Sequence, residues 1–124
     1  TLISSLKPHS SLYDLEVFGP VTHIEVIDNI DHALDRCHKS KYGLTSAIHT
    51  KNVDVANYFV HHIRSGLVNV NLGTFGSEPH MPFGGFGLSG NGTREPGAEA
   101  LDVYSELKNI SFTHQKKMLS NINK

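Results

Sequence analysis

The chain has one cysteine, Cys37, in 124 residues. Without a second thiol an intrachain disulfide framework is excluded, and a reducing compartment is the expected setting. Charge of one sign is equally scarce. Eleven Lys and Arg stand against twelve Asp and Glu, for a formal net charge of −1. That balance leaves neither the basic footprint of a nucleic-acid reader nor an acidic tail. The dense basic spots are Lys39, Lys41 and the pair Lys116-Lys117. No apolar run approaches the length of a membrane span, and no signal peptide is visible. The expectations are therefore a cytoplasmic location, with no nucleic acid and no membrane as partner. Two glycosylation-like strings, Asn91-Gly92-Thr93 and Asn109-Ile110-Ser111, read as chance matches without a secretory signal. The chain opens at Thr1 and enters at once a strand-like pair, Leu2-Ile3, as a segment cut from a longer protein would.

What is present is a rhythm of short strands and helices. Residues 17–27 read as a strand, with Val21, His23, Glu25 and Ile27 alternating against Thr22, Ile24 and Val26. Apolar groups on both faces predict burial on both sides. Asp28-Asn29 supply a helix cap. Ile30, Ala33, Leu34 and Cys37 then form one helical stripe, with Lys39 and Lys41 in the last turn and Gly43 as the stop. Residues 44–50 read as a strand. Asn52 caps a second helix with the stripe Val53, Ala56, Val60 and Ile63, which Gly66 ends, and 67–71 is the next strand. The glycine-rich stretch 73–97 reads as a shaped loop. A third helix is expected over 98–107, with the stripe Ala100, Val103, Tyr104 and Leu107, and a last strand over 109–113. Strand and helix in alternation indicate an α/β fold with a parallel sheet and crossover helices. A sheet this small has open edges, so the segment reads as part of a larger domain.

Three features invite chemistry and do not sustain it. Gly85-Phe86-Gly87-Leu88-Ser89-Gly90 matches G-x-G-x-x-G. The dinucleotide reading, however, needs a strand directly before it and a helix directly after, and prolines occupy the approach. Cys37 on an apolar stripe behaves as a small hydrophobe; a reactive thiol needs an electropositive or helix N-terminal setting. The nine histidines are scattered, with no H-E-x-x-H spacing, so no metal site is expected.

The more specific signal is a set of strings in fixed order. Glu16-Val17-Phe18-Gly19-Pro20-Val21 comes first, then Tyr42-Gly43-Leu44-Thr45-Ser46-Ala47 and Ser65-Gly66-Leu67-Val68-Asn69-Val70-Asn71. Pro82-Phe83-Gly84-Gly85, Ser89-Gly90-Asn91-Gly92, Arg94-Glu95 and Tyr104-Ser105-Glu106-Leu107-Lys108 follow. Each string is weak alone. In this order and at these separations they resemble the C-terminal region of aldehyde dehydrogenases, over nearly the whole chain. Phe86-Gly87 stands where a bulkier pair is frequent, and Thr93 looks like a one-residue insertion before Arg94; both blur a substrate assignment.

The resemblance implies the C-terminal part of a catalytic domain, and a parent enzyme that uses NAD or NADP to oxidise an aldehyde to a carboxylic acid. In the family a cysteine attacks the aldehyde, hydride passes to the nicotinamide, and a glutamate base helps water release the acid. The cysteine, that base, the oxyanion-hole asparagine and the dinucleotide-binding domain lie upstream of this region. The isolated chain is therefore expected to be inactive. Glu16 matches the glutamate that accepts hydrogen bonds from the nicotinamide ribose, and Phe18 the aromatic packed beside that riboside. Phe83 and, with looser alignment, Phe75 match the aldehyde channel. Asn71 reads as a structural anchor, and Arg94 and Glu106 as a structural ion pair. On this reading 1–106 belong to the catalytic domain, 107–115 form an oligomerisation strand that builds a homo-oligomer, and 116–124 are a flexible tail. Residues 92–97 with Ala100-Leu101-Asp102-Val103-Tyr104 are similar to members that oxidise semialdehydes. The alternative is a binding or assembly module derived from this fold but without chemistry, because no nucleophile, base and acid can be assembled from the residues present.

Overall fold

The computed structural model describes residues 1–7 and 9–113. Among the described residues, two helices and a parallel strand pair make the core. Helix α1 spans Ile30–His38 and helix α2 spans Val53–His62. Asn29 and Asn52 start them as the sequence indicates: Asn29 Oδ1 accepts from the His32 N–H at 2.9 Å, and Asn52 Oδ1 from the Asp54 N–H at 2.8 Å. Strands Thr45–Ile48 and Leu67–Val70 pair in parallel, Thr45 opposite Leu67, with α2 as the crossover between them. Leu34, Phe59 and Ile63 are buried, and Ile30, Ile48 and Val68 pack against them. Tyr58 Oη donates to Asp31 at 2.7 Å and ties α2 to α1. The architecture is α/β, with pieces of parallel sheet and crossover helices.

Several expectations shift in detail. The expected strand over 17–27 contracts to Thr22–Ile24, paired in parallel with Leu2–Ser4. Both its faces are exposed, since no described element covers either. It forms a ladder separate from the Thr45–Ile48 pair rather than one sheet with it. Helix α1 ends at His38, before Lys41 and Gly43; Arg36 and His38 occupy its last turn, and Lys39 is its cap. Gly43 lies instead in a strand, Tyr42–Gly43, paired antiparallel with Phe86–Gly87 inside the stretch expected to be all loop. Cys37 is exposed, so the buried end of the α1 stripe is Leu34.

The apolar face of α2 is rotated from the expected stripe. Phe59 and Ile63 are buried while Val53 and Val60 are exposed. Adjacent helical residues lie about 100° apart, so seating the larger Phe59 ring inward turns Val60 out. The chain leaves α2 at Ile63, before Gly66. Gly66 serves close approach: a Cβ there would lie 1.6 Å from the Gly84 carbonyl oxygen. The third helix is one turn, Ala100–Val103, with no buried face and no side-chain cap, and short helices need packing to persist. No strand forms over 109–113, which has no partner among the described residues. Residues 114 and 115 of the expected oligomerisation strand, and the expected tail 116–124, lie outside the described residues.

Candidate functional site

The segment that leads to Glu16 is shaped by local polar contacts. Ser10 Oγ accepts from the Leu12 N–H at 3.3 Å and opens a short 3-10 turn, Ser11–Tyr13. Tyr13 Oη donates to the Leu6 carbonyl at 3.3 Å. Beyond Glu16, the Val21 N–H donates to Gly19 O at 2.7 Å, and the Thr1 amino group donates to Pro20 O. Phe18 has φ of 50°, left-handed backbone that a bulky residue rarely adopts. Such conformations persist where surrounding structure imposes them, and they gather at functional sites. Phe18 is 91% exposed and lies outside the core of the described residues.

Glu16 and Phe18 line one cleft, of about 430 Å³, with Tyr13, Thr22, His23 and Tyr42 among its other walls. Glu16 is exposed, and the ion pairs among the described residues, His32–Asp28 and Arg36–Glu25, do not involve it. Its carboxylate is therefore open to donors from a ligand, and an ionised carboxylate can accept from two hydroxyls at once. A solvent-facing carboxylate beside an exposed aromatic face suits a ribose next to a flat heterocycle, so the residues present fit a nicotinamide riboside.

The channel aromatics stand apart from this cleft. Phe75 is 86% exposed and Phe83 is 39% exposed, and neither lines it. Phe83 and Glu95 exchange backbone hydrogen bonds of 3.0 and 2.9 Å, which folds the glycine-rich stretch back on itself. The G-x-G-x-x-G match contains the Phe86–Gly87 strand and leads into no helix. Its Gly87 has φ of 58°, and a Cβ there would lie 2.3 Å from Lys41 O. Gly87 thus allows close approach to the Lys41 backbone, beside the strand Tyr42–Gly43 with which it pairs. Asn71, at φ of 57°, accepts from the Thr50 N–H at 2.9 Å and donates to the Thr50 carbonyl at 3.0 Å, bridging the ends of the parallel strands.

The expected Arg94–Glu106 pair does not form among the described residues. Arg94 lies over the Phe86 ring at 5.1 Å and donates to Thr93 O at 2.9 Å, while Glu106 is exposed beyond the single-turn helix. That helix is too short to carry Glu106 back toward the loop. Around Cys37, partial burial of the sulfur pushes the thiol above its ordinary range although the residue as a whole is exposed. The neutral thiol is thereby favoured, the opposite of what a nucleophile requires. Among the described residues no group of three or more His, Cys, Asp or Glu could hold a metal ion.

The sequence reading missed the residues that buttress the cleft. Arg36 places its guanidinium 4.5 Å from the Tyr13 ring centroid while its Nε donates to Glu25 at 2.9 Å. Hydrogen bonding to Glu25 raises the Arg36 pKa further. His23 meets Tyr13 edge to face at 5.4 Å. His23 and Glu25 lie two apart on the expected strand run 17–27, but Tyr13 and Arg36 come from other elements, so no single periodic signal groups all four.

A sequence model described as the aldehyde dehydrogenase family matches residues 1–110. Benzaldehyde dehydrogenase (NAD(+)) of Pseudomonas putida is 34% identical over 115 residues, 93% of this chain and 24% of that protein. A mitochondrial aldehyde dehydrogenase of Equus caballus is 36% identical over 118 residues, 94% of this chain and 23% of that protein. Among solved structures, the salicylaldehyde dehydrogenase of Pseudomonas putida G7, complexed with salicylaldehyde, superposes with a TM-score of 0.83 at 28% identity. That match covers 94% of this chain and 24% of the other. The indole-3-acetaldehyde dehydrogenase of P. syringae, in complex with NAD+, gives a TM-score of 0.79 at 33% identity over 86% of this chain and 21% of the other. The chain thus spans about a quarter of the length of the curated relatives it matches.

Proposed function

The chain belongs to the aldehyde dehydrogenase family, and from that premise we propose that it is the C-terminal part of the catalytic domain of an NAD-dependent enzyme that oxidises an aldehyde to a carboxylic acid. The observation that carries this reading is Glu16, an exposed carboxylate in a cleft shared with the exposed ring of Phe18. The cofactor, when bound, supplies the hydride acceptor. Glu16 accepts hydrogen bonds from both ribose hydroxyls; charge-assisted bonds of this kind are the stronger class. Phe18 offers an apolar face beside the riboside. Together they restrict how the ring sits against the reacting carbon, and orientation of this sort supplies a large share of catalysis. Phe83 and Phe75 border the approach for the aldehyde and help keep water from the reacting carbon.

The isolated chain has no turnover on this reading, because its only thiol is Cys37, held in the neutral form. An assembly role goes with the catalytic one. Leu107, Ile110 and Phe112 are exposed, and 107–113 joins no ladder among the described residues. The segment 107–113 then pairs with a second copy, since an unpartnered backbone edge is completed by another strand.

The test is single-turnover NADH formation by the whole protein, with benzaldehyde and a dicarboxylic semialdehyde as substrates. Glu16→Gln slows the hydride step roughly tenfold to a hundredfold and weakens NAD binding less. An unchanged hydride step overturns the assignment of Glu16. Aldehyde-dependent NADH from the pure 124-residue chain overturns the inactivity of the fragment.

A further inference from the structure

Nothing grips the Glu16 side chain directly among the described ion pairs, so its place depends on the backbone on either side. Downstream, the chain turns through Phe18 in left-handed backbone and closes on Gly19 and Val21. Upstream, the anchor is Tyr13, whose hydroxyl donates to Leu6 O at 3.3 Å. The Tyr13 ring is gripped from two directions. The His23 ring abuts it edge to face at 5.4 Å, and the Arg36 guanidinium lies 4.5 Å from its centroid. Arg36 in turn is held by Glu25, at 2.9 Å from its Nε. Tyr13 and His23 line both the Glu16 cleft and a neighbouring cleft that contains Glu25, Arg36 and Cys37. Tyr13 and His23, with Asp14 and Ser40, thus form the wall shared by the two clefts, and Arg36 meets Tyr13 from the second cleft, which Glu16 does not line.

We propose that Arg36 is a positioning residue: with Glu25 behind it, it clamps Tyr13 and so fixes the backbone that presents Glu16 to the cofactor ribose. This rests on the reading of Glu16 given above. Arginine suits the role because its planar guanidinium stacks on a ring while an N–H in the same plane meets a carboxylate. A lysine ammonium is a point charge and cannot do both in one geometry. Arg36 itself does not line the Glu16 cleft. It reaches from α1 to Tyr13 and Glu25, and so connects the packed helix pair to a wall of the Glu16 cleft.

The test uses the whole protein and the hydride-transfer assay already named. Arg36→Leu lowers the single-turnover hydride rate roughly tenfold, in line with the cost of a small misplacement, and changes the KM for the aldehyde little. Arg36→Lys recovers only part of that rate. Tyr13→Leu reproduces the loss, and Tyr13→Phe, which keeps the ring, recovers most of it; this second pair carries the test if Arg36→Leu does not fold. The double variant Arg36→Leu/Glu16→Gln is no slower than Glu16→Gln alone, since a residue acting through Glu16 has nothing left to position. Additive losses, or a normal rate in Arg36→Leu with a slow Glu16→Gln, overturn the clamp and leave Glu16 standing. A normal rate in Glu16→Gln overturns both.

Discussion

Phe59 and Phe18 are the same side chain in two settings, one 5% exposed and the other 91%. Phe59 faces Leu34, Ile63, Ile48 and Val68 across α1, α2 and the parallel pair, where burial of its area is the whole of its contribution. Phe18 sits in left-handed backbone beside a carboxylate in an open cleft. The helix-pair region is thus built from contacts inside the chain. The Glu16 region spends little of its apolar surface on the fold and leaves it for something else to meet. Among the described residues, the Tyr13–Arg36–Glu25 contacts join the two.

The largest effect that would test this contrast is the loss of one ring from each side. Phe59→Ala is expected to destabilise the chain by about 3 kcal/mol, and Phe18→Ala to stay within about 0.5 kcal/mol; urea midpoints at constant slope measure both. Equal losses would show that the Glu16 segment is part of the core after all. Gly66→Ala comes next. Its Cβ would collide with Gly84 O, and the expected cost is about 2 kcal/mol. Limited proteolysis should then cut first in the displaced stretch 73–97. An unchanged midpoint would show that this stretch is free to move away at no cost.

The smallest effect is at the surface link between the helices. Hydrogen bonding to Asp31 raises the Tyr58 pKa above the ordinary phenol value. A group raised in the folded state contributes its full stability below its unfolded pKa, near ~10, and loses it as pH rises through the folded value. Tyr58→Phe should therefore unfold slightly sooner than the parent chain from pH 6 to 9, with the gap closing in alkali. A gap that persists at high pH would mean the contact is one of shape rather than of the proton.

The helices were legible for a local reason. Asn29 and Asn52 accept hydrogen bonds from N–H groups a few residues ahead, and that chemistry is complete within one turn. The parallel pairing of Thr45–Ile48 with Leu67–Val70 was readable for a related reason: a strand, a helix and a strand joined by short loops have few ways to close. The buried face of α2 differs from the expected stripe because the stripes of Val60 and Phe59 differ by one residue, and only the space between the elements selects the larger ring. Glu16 and Phe18 are singled out by motif order through the resemblance, and the folded chain lines one cleft with both. The Arg94–Glu106 pair was drawn from resemblance, and the described chain instead sets Arg94 against Phe86.

Capping, periodicity and the α/β rhythm depend on residues near one another in the chain, and they were present in the amino-acid order. The rotation of α2, the tuck of Phe86–Gly87 against Tyr42–Gly43, and the meeting of Tyr13, His23, Glu25 and Arg36 needed the folded chain. Contacts between distant residues are decided by which volumes remain to be filled and which charges remain to be paired once the local elements exist, and that competition leaves no mark in spacing.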